Sequence, residues 1–308
     1  MSFEKVRYLN HNMMAIGRKI VPLRFYPTIR RILHKKELHL LRSSYSHSND
    51  PEISEIMLYL DKHGFVSPPY VWADMTNSEV REKFSKVDVY NDADLNLHYT
   101  LLEGKRIYFP RNWGVNYIRQ YYFGLQEIEQ HPQSPHRYLT DEFSVDENSI
   151  VVDCGVAEGN FGLSIVEKCK KLYLFEPEER WMEPLKATFA PWKDKVVIVQ
   201  KYLSDTTDEI NTTLDDYFSD KEYPNFLKLD VEGYEERLLL GTKKILSSND
   251  LKKVVACIYH KAEDEEIVGA LLREHGFTTI PSLRYMIVFF EGRPPYLRRG
   301  VLRATKIQ

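Results

Sequence analysis

Cysteine is scarce in this 308-residue chain: Cys154, Cys169 and Cys257 are the only three, with no CxxC pair and no metal-like spacing. A disulfide framework or a zinc ribbon is therefore excluded, and reduced thiols in a cytoplasmic protein are expected. Long apolar runs are missing too, and about 20 such residues are needed to span a bilayer. The first apolar patch, Met13-Met14-Ala15-Ile16-Gly17, stops at Arg18-Lys19, short of the roughly 7 to 15 residues of a signal-peptide core. No repeat or low-complexity tract occurs, and 43% hydrophobic with 28% charged residues is ordinary globular composition.

Charge is nearly balanced at −3 but unevenly spread. Residues 1–42 hold ten Lys/Arg against two Glu, a net of +8, which leaves −11 for the remainder. An acidic body argues against a nucleic-acid-binding surface. The basic arm has short apolar clusters with helical spacing and a break at Pro27. It reads as a segment packed on the body with its bases solvated; the alternative is peripheral contact with an anionic surface.

A polar stretch, Ser43 to Asp50, ends in Asp-Pro, an N-cap followed by proline at the first helical position. Ile53, Ile56, Met57 and Leu60 then recur at helical steps and Gly64 stands at the C-cap position, so a short amphipathic helix is expected. A further helix is expected near Ser78 to Lys86, a hairpin over Leu101 to Pro110, and a helix burying one face of Trp113, Tyr117, Tyr121 and Leu125.

From Ser149 the texture becomes strands alternating with helices, the pattern of a parallel sheet covered on both faces. Strands are expected at Ile150–Cys154, Lys171–Phe175, Val196–Tyr202, Phe226–Asp230 and Val254–Tyr259. Helices are expected around Phe161–Lys168, Glu179–Phe189, Thr213–Phe218, Gly233–Leu246 and Asp264–His275. Phe277–Ile280 and Tyr285–Phe290 complete the chain's α/β part as an antiparallel hairpin on an otherwise parallel sheet.

The chemistry gathers at the strand ends. Val151 to Gly162 reads as a strand, a glycine turn containing Gly155 and Gly159, and a helix opening at Asn160, with Glu158 inside the turn. Such a turn lets a ligand approach the backbone. A dinucleotide site needs glycine at the third position of GxGxxG, where this chain has Ala157. Asp153, just ahead of the turn, would oppose a pyrophosphate and suits a cation, which favours S-adenosylmethionine. Glu176 ends the second strand and can accept both hydroxyls of a ribose, while Ser204-Asp205 after the third suits an adenine amino group. The fourth strand delivers Asp230 and Glu232, and the fifth Tyr259-His260. Glu235 and Glu236 fall in the first turn of a helix, where they complement its dipole.

These blocks, Val152-Asp153-Cys154-Gly155, Phe175-Glu176-Pro177, Thr213-Leu214-Asp215-Asp216, Leu227-Lys228-Leu229-Asp230-Val231-Glu232-Gly233 and Tyr259-His260, resemble the FkbM family of class I S-adenosylmethionine-dependent methyltransferases over roughly residues 145–292. The resemblance implies a Rossmann-like, mostly parallel seven-stranded sheet with a C-terminal antiparallel hairpin. It also implies O-methylation of a hydroxyl on a sugar, a nucleotide-activated sugar or a glycosylated natural product. Residues 1–100 are then a mainly helical extension and 101–308 the methyltransferase domain.

Methyl transfer needs an acceptor oxygen held in line and a base to take its proton, roles for His260 or Asp230. Alternatively Asp230, Glu232 and His260 offer ligands to Mg2+ or Mn2+ that would acidify the alcohol. His136, Arg137, Tyr138, Tyr234 and Tyr259 are expected at the acceptor, Arg137 meeting an anionic group such as a diphosphate. Two rivals stand beside this reading. An NAD(P)-dependent Rossmann oxidoreductase is opposed by Ala157 and the terminal hairpin, and a noncatalytic adaptor by the joint presence of Asp153, Glu176, Asp205, Asp230 and His260.

Overall fold

A computed structural model describes residues 26–64, 82, 83, 85–125 and 131–307. Among the described residues two helices come first, α1 (Tyr26–Tyr45) and α2 (Pro51–His63). A three-stranded antiparallel sheet follows, β1 (Tyr90–Asp92), β2 (Leu97–Leu102) and β3 (Lys105–Tyr108), and then α3 (Val115–Gly124). The alternating part comprises β4 (Ile150–Cys154), α4 (Asn160–Ile165), β5 (Lys171–Phe175), α5 (Glu179–Phe189) and β6 (Val196–Val199). After the short ladder of β7 (Tyr202–Leu203) with β8 (Asn211–Thr212) come α6 (Leu214–Tyr217), β9 (Phe226–Leu229), α7 (Glu235–Leu240), α8 (Lys243–Ser247) and β10 (Lys253–Cys257). The last elements are α9 (Asp264–Glu274), β11 (Phe277–Pro281), β12 (Met286–Ile287), β13 (Leu297–Arg298) and β14 (Val301–Lys306).

The main sheet has the order β11-β14-β10-β9-β4-β5-β6, with β14 antiparallel to both neighbours and the pairs among β10, β9, β4, β5 and β6 parallel. This is the expected Rossmann-like sheet with an antiparallel C-terminal pair. Its central strands are buried on both faces, which is why Ile-Val-Val-Asp-Cys and Phe-Leu-Lys-Leu read as near-continuous apolar runs. Val151, Leu172, Leu174, Phe226, Val255 and Val301 face a core shared with Phe161, Leu185, Phe189, Ile118 and Phe109. Val152, Tyr173, Leu227 and Val254 face the opposite core of Phe218, Leu238, Ile245 and Leu272.

Several expectations change here. The partner of β11 is Val301–Lys306, not Tyr285–Phe290. Alternation of apolar residues marks a strand but not its neighbour, and Tyr285, Ile287 and Phe289 instead pack with Tyr296 and Leu297 on Leu41, Ile56 and Leu60 of α1 and α2. The helix expected over Gly233–Leu246 is split into α7 and α8 at Gly241, where a Cβ would lie 2.1 Å from the Ser204 carbonyl oxygen. The third strand ends at Val199, and Tyr202 leaves to pair with Asn211. Pro27 lies in the first turn of α1, and the segment before it falls outside the described residues.

Trp113 precedes α3, whose buried residues are Ile118, Tyr122 and Phe123, and Tyr117 is exposed. Leu125 is buried in the core and Trp113 and Tyr121 rest on it, as expected of that face, and these two rings and Tyr117 also form an aromatic group with Trp181 of α5. The expected hairpin is present but begins earlier, pairing Leu97–Leu102 with Lys105–Tyr108 instead of spanning Leu101 to Pro110, and it turns at Glu103-Gly104 with φ of 49° and 80°. The division at residues 100 and 101 falls inside β2, so the hairpin straddles it. Asp50 caps α2 by accepting from the Glu52 and Ile53 amides, and Gly64 closes it. Residues 1–25 of the basic arm, and 78–81 and 84 of the helix expected there, lie outside the described residues. Among the described residues, no helix is long and apolar enough to cross a membrane.

Candidate active site

Strand register assembles the site. Asp153 of β4 is the Cα partner of Lys228 of β9, so both side chains stand on one face. The Lys228 Nζ lies 2.9 Å from Asp153 Oδ1 and donates to the Gly155 carbonyl at 2.6 Å. Burial pushes the Asp153 carboxyl up and Lys228 opposes it; burial likewise works against the Lys228 cation, but Asp153 and Asp230 hold it charged. Asp153 is thus a buried ion-pair member, not an open anionic seat for a cationic ligand.

The turn after β4 has φ of +80° at Gly155, +49° at Ala157 and +87° at Gly159. A Cβ on Gly155 would fall 1.8 Å from the Asp230 carbonyl oxygen, and one on Gly159 2.8 Å from the Phe189 ring. These glycines are dictated by the close packing of strand ends and α5, a different reason from ligand approach. Glu158 is buried and accepts from the Tyr121 hydroxyl at 2.6 Å, and Asn160 is buried at the start of α4. Glu176, 6% exposed, ties this turn to the end of β5: Oε2 accepts from the Ala157 amide and Oε1 from the Glu178 amide, each at 2.8 Å. Burial pushes its carboxyl up to about 7, against those two hydrogen bonds. Each oxygen keeps a lone pair for a donor such as a ribose hydroxyl.

Ser204 and Asp205 follow β7 rather than the end of β6, and pack on the α7–α8 junction. Arg237 of α7 holds Asp205 Oδ1 through Nη2 at 2.8 Å and Nε at 3.1 Å, and the Ser204 hydroxyl donates to the same oxygen. The expected adenine contact therefore starts from a carboxylate already engaged.

Asp230 is the hub on the other side of the turn. Tyr138 donates to its Oδ2 at 2.7 Å, His136 Nε2 is 4.0 Å from the same oxygen, and His260 Nε2 is 3.5 Å from Oδ1. Burial opposes ionisation, but Lys228, His260, His136 and the Tyr138 hydrogen bond hold this carboxyl well below the usual range. The two histidines are driven apart. Burial pushes His136 down to about 4, against the pull of Asp230. For His260 burial acts downward as well, but Glu235, then Asp230 and Glu232, lift it to about 9. His136 shares Nε2 with the Tyr259 hydroxyl at 3.2 Å, and the Cys257 thiol lies 3.6 Å from that nitrogen. His260 Nδ1 is 3.0 Å from Glu235 Oε1.

Of the expected acceptor residues, His136, Tyr138 and Tyr259 converge on Asp230, whereas Tyr234 is exposed ahead of α7. The Arg137 carbonyl accepts from the Arg303 guanidinium, which also donates to the Tyr138 carbonyl at 3.0 Å and so braces this segment on β14. Asp230, Glu232 and His260 do come within 4.8 Å of one another, but the imidazolium already supplies the carboxylates with a counter-ion.

Three buried participants were not singled out from sequence. Lys228 carried a signal, being a cation inside a fully apolar strand. Glu235 carried none, because an acid in a helix's first turn looks the same whether it serves the dipole or faces inward. Arg298 donates to the Tyr259 and His260 carbonyls at 3.0 and 3.2 Å from a strand of two residues, too short to recognise.

The profile of the methyltransferase FkbM domain matches residues 128–279. No curated protein matches the chain. Among solved structures, a methyltransferase FkbM from Methylobacillus flagellatus is 16% identical with a TM-score of 0.46; the match covers 61% of this chain and 52% of that one, so this chain spans about half that protein's length. An rRNA methylase from Streptococcus thermophilus aligns at 18% identity and TM-score 0.38, over 53% of this chain and 90% of its own. A precorrin-6y C5,15-methyltransferase from Geobacter metallireducens aligns at 10% and 0.37, over 53% and 82%.

Proposed function

Because residues 128–279 constitute a methyltransferase FkbM domain, a family that draws its methyl group from S-adenosylmethionine, we propose that this protein is an O-methyltransferase acting on a hydroxyl of a sugar, a nucleotide-activated sugar or a glycosylated natural product. The observation that carries the reading is the acid–imidazole pair at the end of β9 and β10. Asp230 Oδ1 and His260 Nε2 are both buried without a hydrogen bond, 3.5 Å apart, and Asp230 packs directly on the Gly155 turn that leads to Glu176. Buried polar atoms in that state are places where a hydroxyl could be received.

The fit to the cofactor rests on Glu176. Its carboxylate sits at the carboxyl end of β5 with acceptor capacity to spare, and the Ala157 methyl occupies the position where a pyrophosphate-binding turn has glycine. Bound S-adenosylmethionine would supply an electrophilic methyl, whose carbon the acceptor oxygen takes while the sulfur keeps the bonding electron pair. The hydroxyl proton goes to Nε2 of His260 in its neutral form, the form that does not serve the carboxylates as counter-ion, while Asp230 orients the hydroxyl and Tyr138 fixes Asp230. Tyr259 and His136 supply the aromatic wall on which a sugar ring can lie. We place this activity in the cytoplasm, consistent with three buried free cysteines.

Isothermal titration separates this reading from its oxidoreductase rival. S-adenosylmethionine should bind and NAD should not; the reverse would overturn the assignment. Methyl transfer from labelled cofactor to a panel of nucleotide sugars and glycans then tests the acceptor class, with transfer to a nitrogen or carbon acceptor counting against it.

A further inference from the structure

We propose that Glu235 is a positioning residue for methyl transfer, holding His260 from inside the core so that Nε2 faces Asp230 where the acceptor hydroxyl must lie. This rests on the O-methyltransferase reading and assigns the device that orients its base.

Service to the helix dipole does not account for the placement. A carboxylate that complements a dipole sits in water, whereas Glu235 is fully buried; its neighbour Glu236 is half-buried. A buried carboxylate costs several kcal/mol unless it is paired and hydrogen-bonded. Glu235 Oε1 accepts from the Val231 amide at 3.0 Å and meets His260 Nδ1 at 3.0 Å. One oxygen therefore ties the turn after β9, which carries Asp230 and Glu232, to the turn after β10, which carries His260.

The consequence for His260 is geometric. With Nδ1 committed to Glu235, Nε2 is turned toward Asp230 Oδ1 at 3.5 Å and Glu232 Oε2 at 3.7 Å, buried and without a hydrogen bond. Arg298 fixes the backbone of the same residue by donating to its carbonyl, and the Tyr259 ring lies 4.2 Å from the imidazole, so the ring has little freedom to turn. This is the arrangement of a catalytic imidazole backed by a buried acid, with the acid holding tautomer and orientation and stabilising the imidazolium that forms. The other charged groups facing His260 are Asp230 and Glu232 from the turn after β9, Asp264 at the start of α9, and more distantly His136 and Lys228.

The test reads His260 directly by NMR, without substrate. In the wild type His260 should titrate near pH 9 with Nδ1 protonated on both sides of the transition. Glu235→Gln can still accept from Nδ1–H but lacks the charge, so the midpoint should fall by about one pH unit or more. The ascending limb of the pH–rate profile, which reports the base, should move to lower pH with it. In a double-mutant cycle for turnover, His260→Gln alone should cost about tenfold or more, and adding Glu235→Gln to it less than about twofold. An unmoved His260 midpoint in Glu235→Gln, multiplicative losses in the cycle, or a neutral wild-type His260 whose proton sits on Nε2 instead of Nδ1 would each overturn the proposal. The wild-type titration decides even if Glu235→Gln fails to fold. Absence of methyl transfer to any hydroxyl would sink the O-methylation reading, while the titration would still judge the Glu235–His260 unit.

Discussion

Glu176→Gln should make the protein more stable and a worse binder of its cofactor at the same time. The carboxylate is 6% exposed and pushed up from 4.5 to about 7 by burial, so the fold disfavours its ionised form. The folded value lies above the unfolded one, so this group's contribution to stability is intact below pH 4.5 and is lost as pH rises through 7. The displacement corresponds to ~3 kcal/mol at pH 8, an order-of-magnitude figure. Glutamine resembles the neutral carboxyl in charge, but its NH2 cannot accept, so one of the Ala157 and Glu178 amides loses its partner and the gain is reduced by that hydrogen bond. The variant should therefore gain up to that amount above pH 7, seen as several degrees in Tm, with the gain fading to nothing near pH 4.5. A charge-assisted hydrogen bond to a ligand hydroxyl contributes about 1.5–3 kcal/mol, so S-adenosylmethionine affinity should fall roughly 10- to 100-fold. Wild-type affinity should itself weaken as pH falls below 7, because the acceptor is being protonated. Thermal melts from pH 4.5 to 8.5 with titrations at pH 8 measure both effects. A Glu176→Gln protein that melts below wild type at pH 8 would refute the reasoning, since the ionised carboxylate would then be an anchor and not a strained binding group.

Lys228→Met leaves Asp153 and Asp230 without their shared cation, and should cost ~3–5 kcal/mol in urea unfolding; adding Asp153→Asn should restore about half of it or more. A loss under about 1 kcal/mol would show the pair to be dispensable. Tyr138→Phe removes the 2.7 Å hydrogen bond to Asp230 and should lower turnover about tenfold with cofactor affinity unchanged; an equal change in both would move Tyr138 to the cofactor side. Gly155→Ala places a methyl 1.8 Å from the Asp230 carbonyl and should abolish soluble expression, whereas Gly64→Ala, at φ 78° and ψ −172° but with nothing within 4 Å, should cost only the backbone strain, about 1–3 kcal/mol in thermal unfolding.

The parallel sheet was legible because its strands are short apolar runs set between helical stretches, and Ile150–Cys154, Lys171–Phe175 and Glu179–Phe189 stand where periodicity put them. What sequence could not supply was partnership. Tyr285–Phe290 has strand texture, yet its apolar residues go to α1 and α2, and the sheet takes Val301–Lys306. The acids were legible as residues at strand ends but their counter-ions were not, since Lys228 and Arg237 reach them only through register and helix docking. The Thr213-Leu214-Asp215-Asp216 block has a structural job: Thr213 caps α6 through the Asp216 amide, and Asp215 accepts from the Lys244 and Ile245 amides at the start of α8. A pattern that identifies a family need not touch its ligand.

The pairing also changes how the site can favour a sulfonium donor. A row of acids at the sheet's carboxyl end suggests a negative surface that attracts a cation. Folded, Asp153 meets Lys228, Asp205 meets Arg237, Asp230 meets both Lys228 and His260, and Glu235 meets His260. Three cations thus serve four of these acids, so the charge that remains for a cationic ligand is much less than the row of acids suggests. The same balance bears on the chemistry. On the proposed O-methyltransferase reading, transfer to an alcohol would discharge a sulfonium and leave a proton to be housed, and the carboxylates around His260 would stabilise the imidazolium that houses it. Their influence has a cost at rest, because a base at about 9 is neutral in only ~1% of molecules at pH 7. Proton transfer gains driving force as the base strengthens, but by less than the neutral population falls, so on this reading turnover should rise with pH toward about 9.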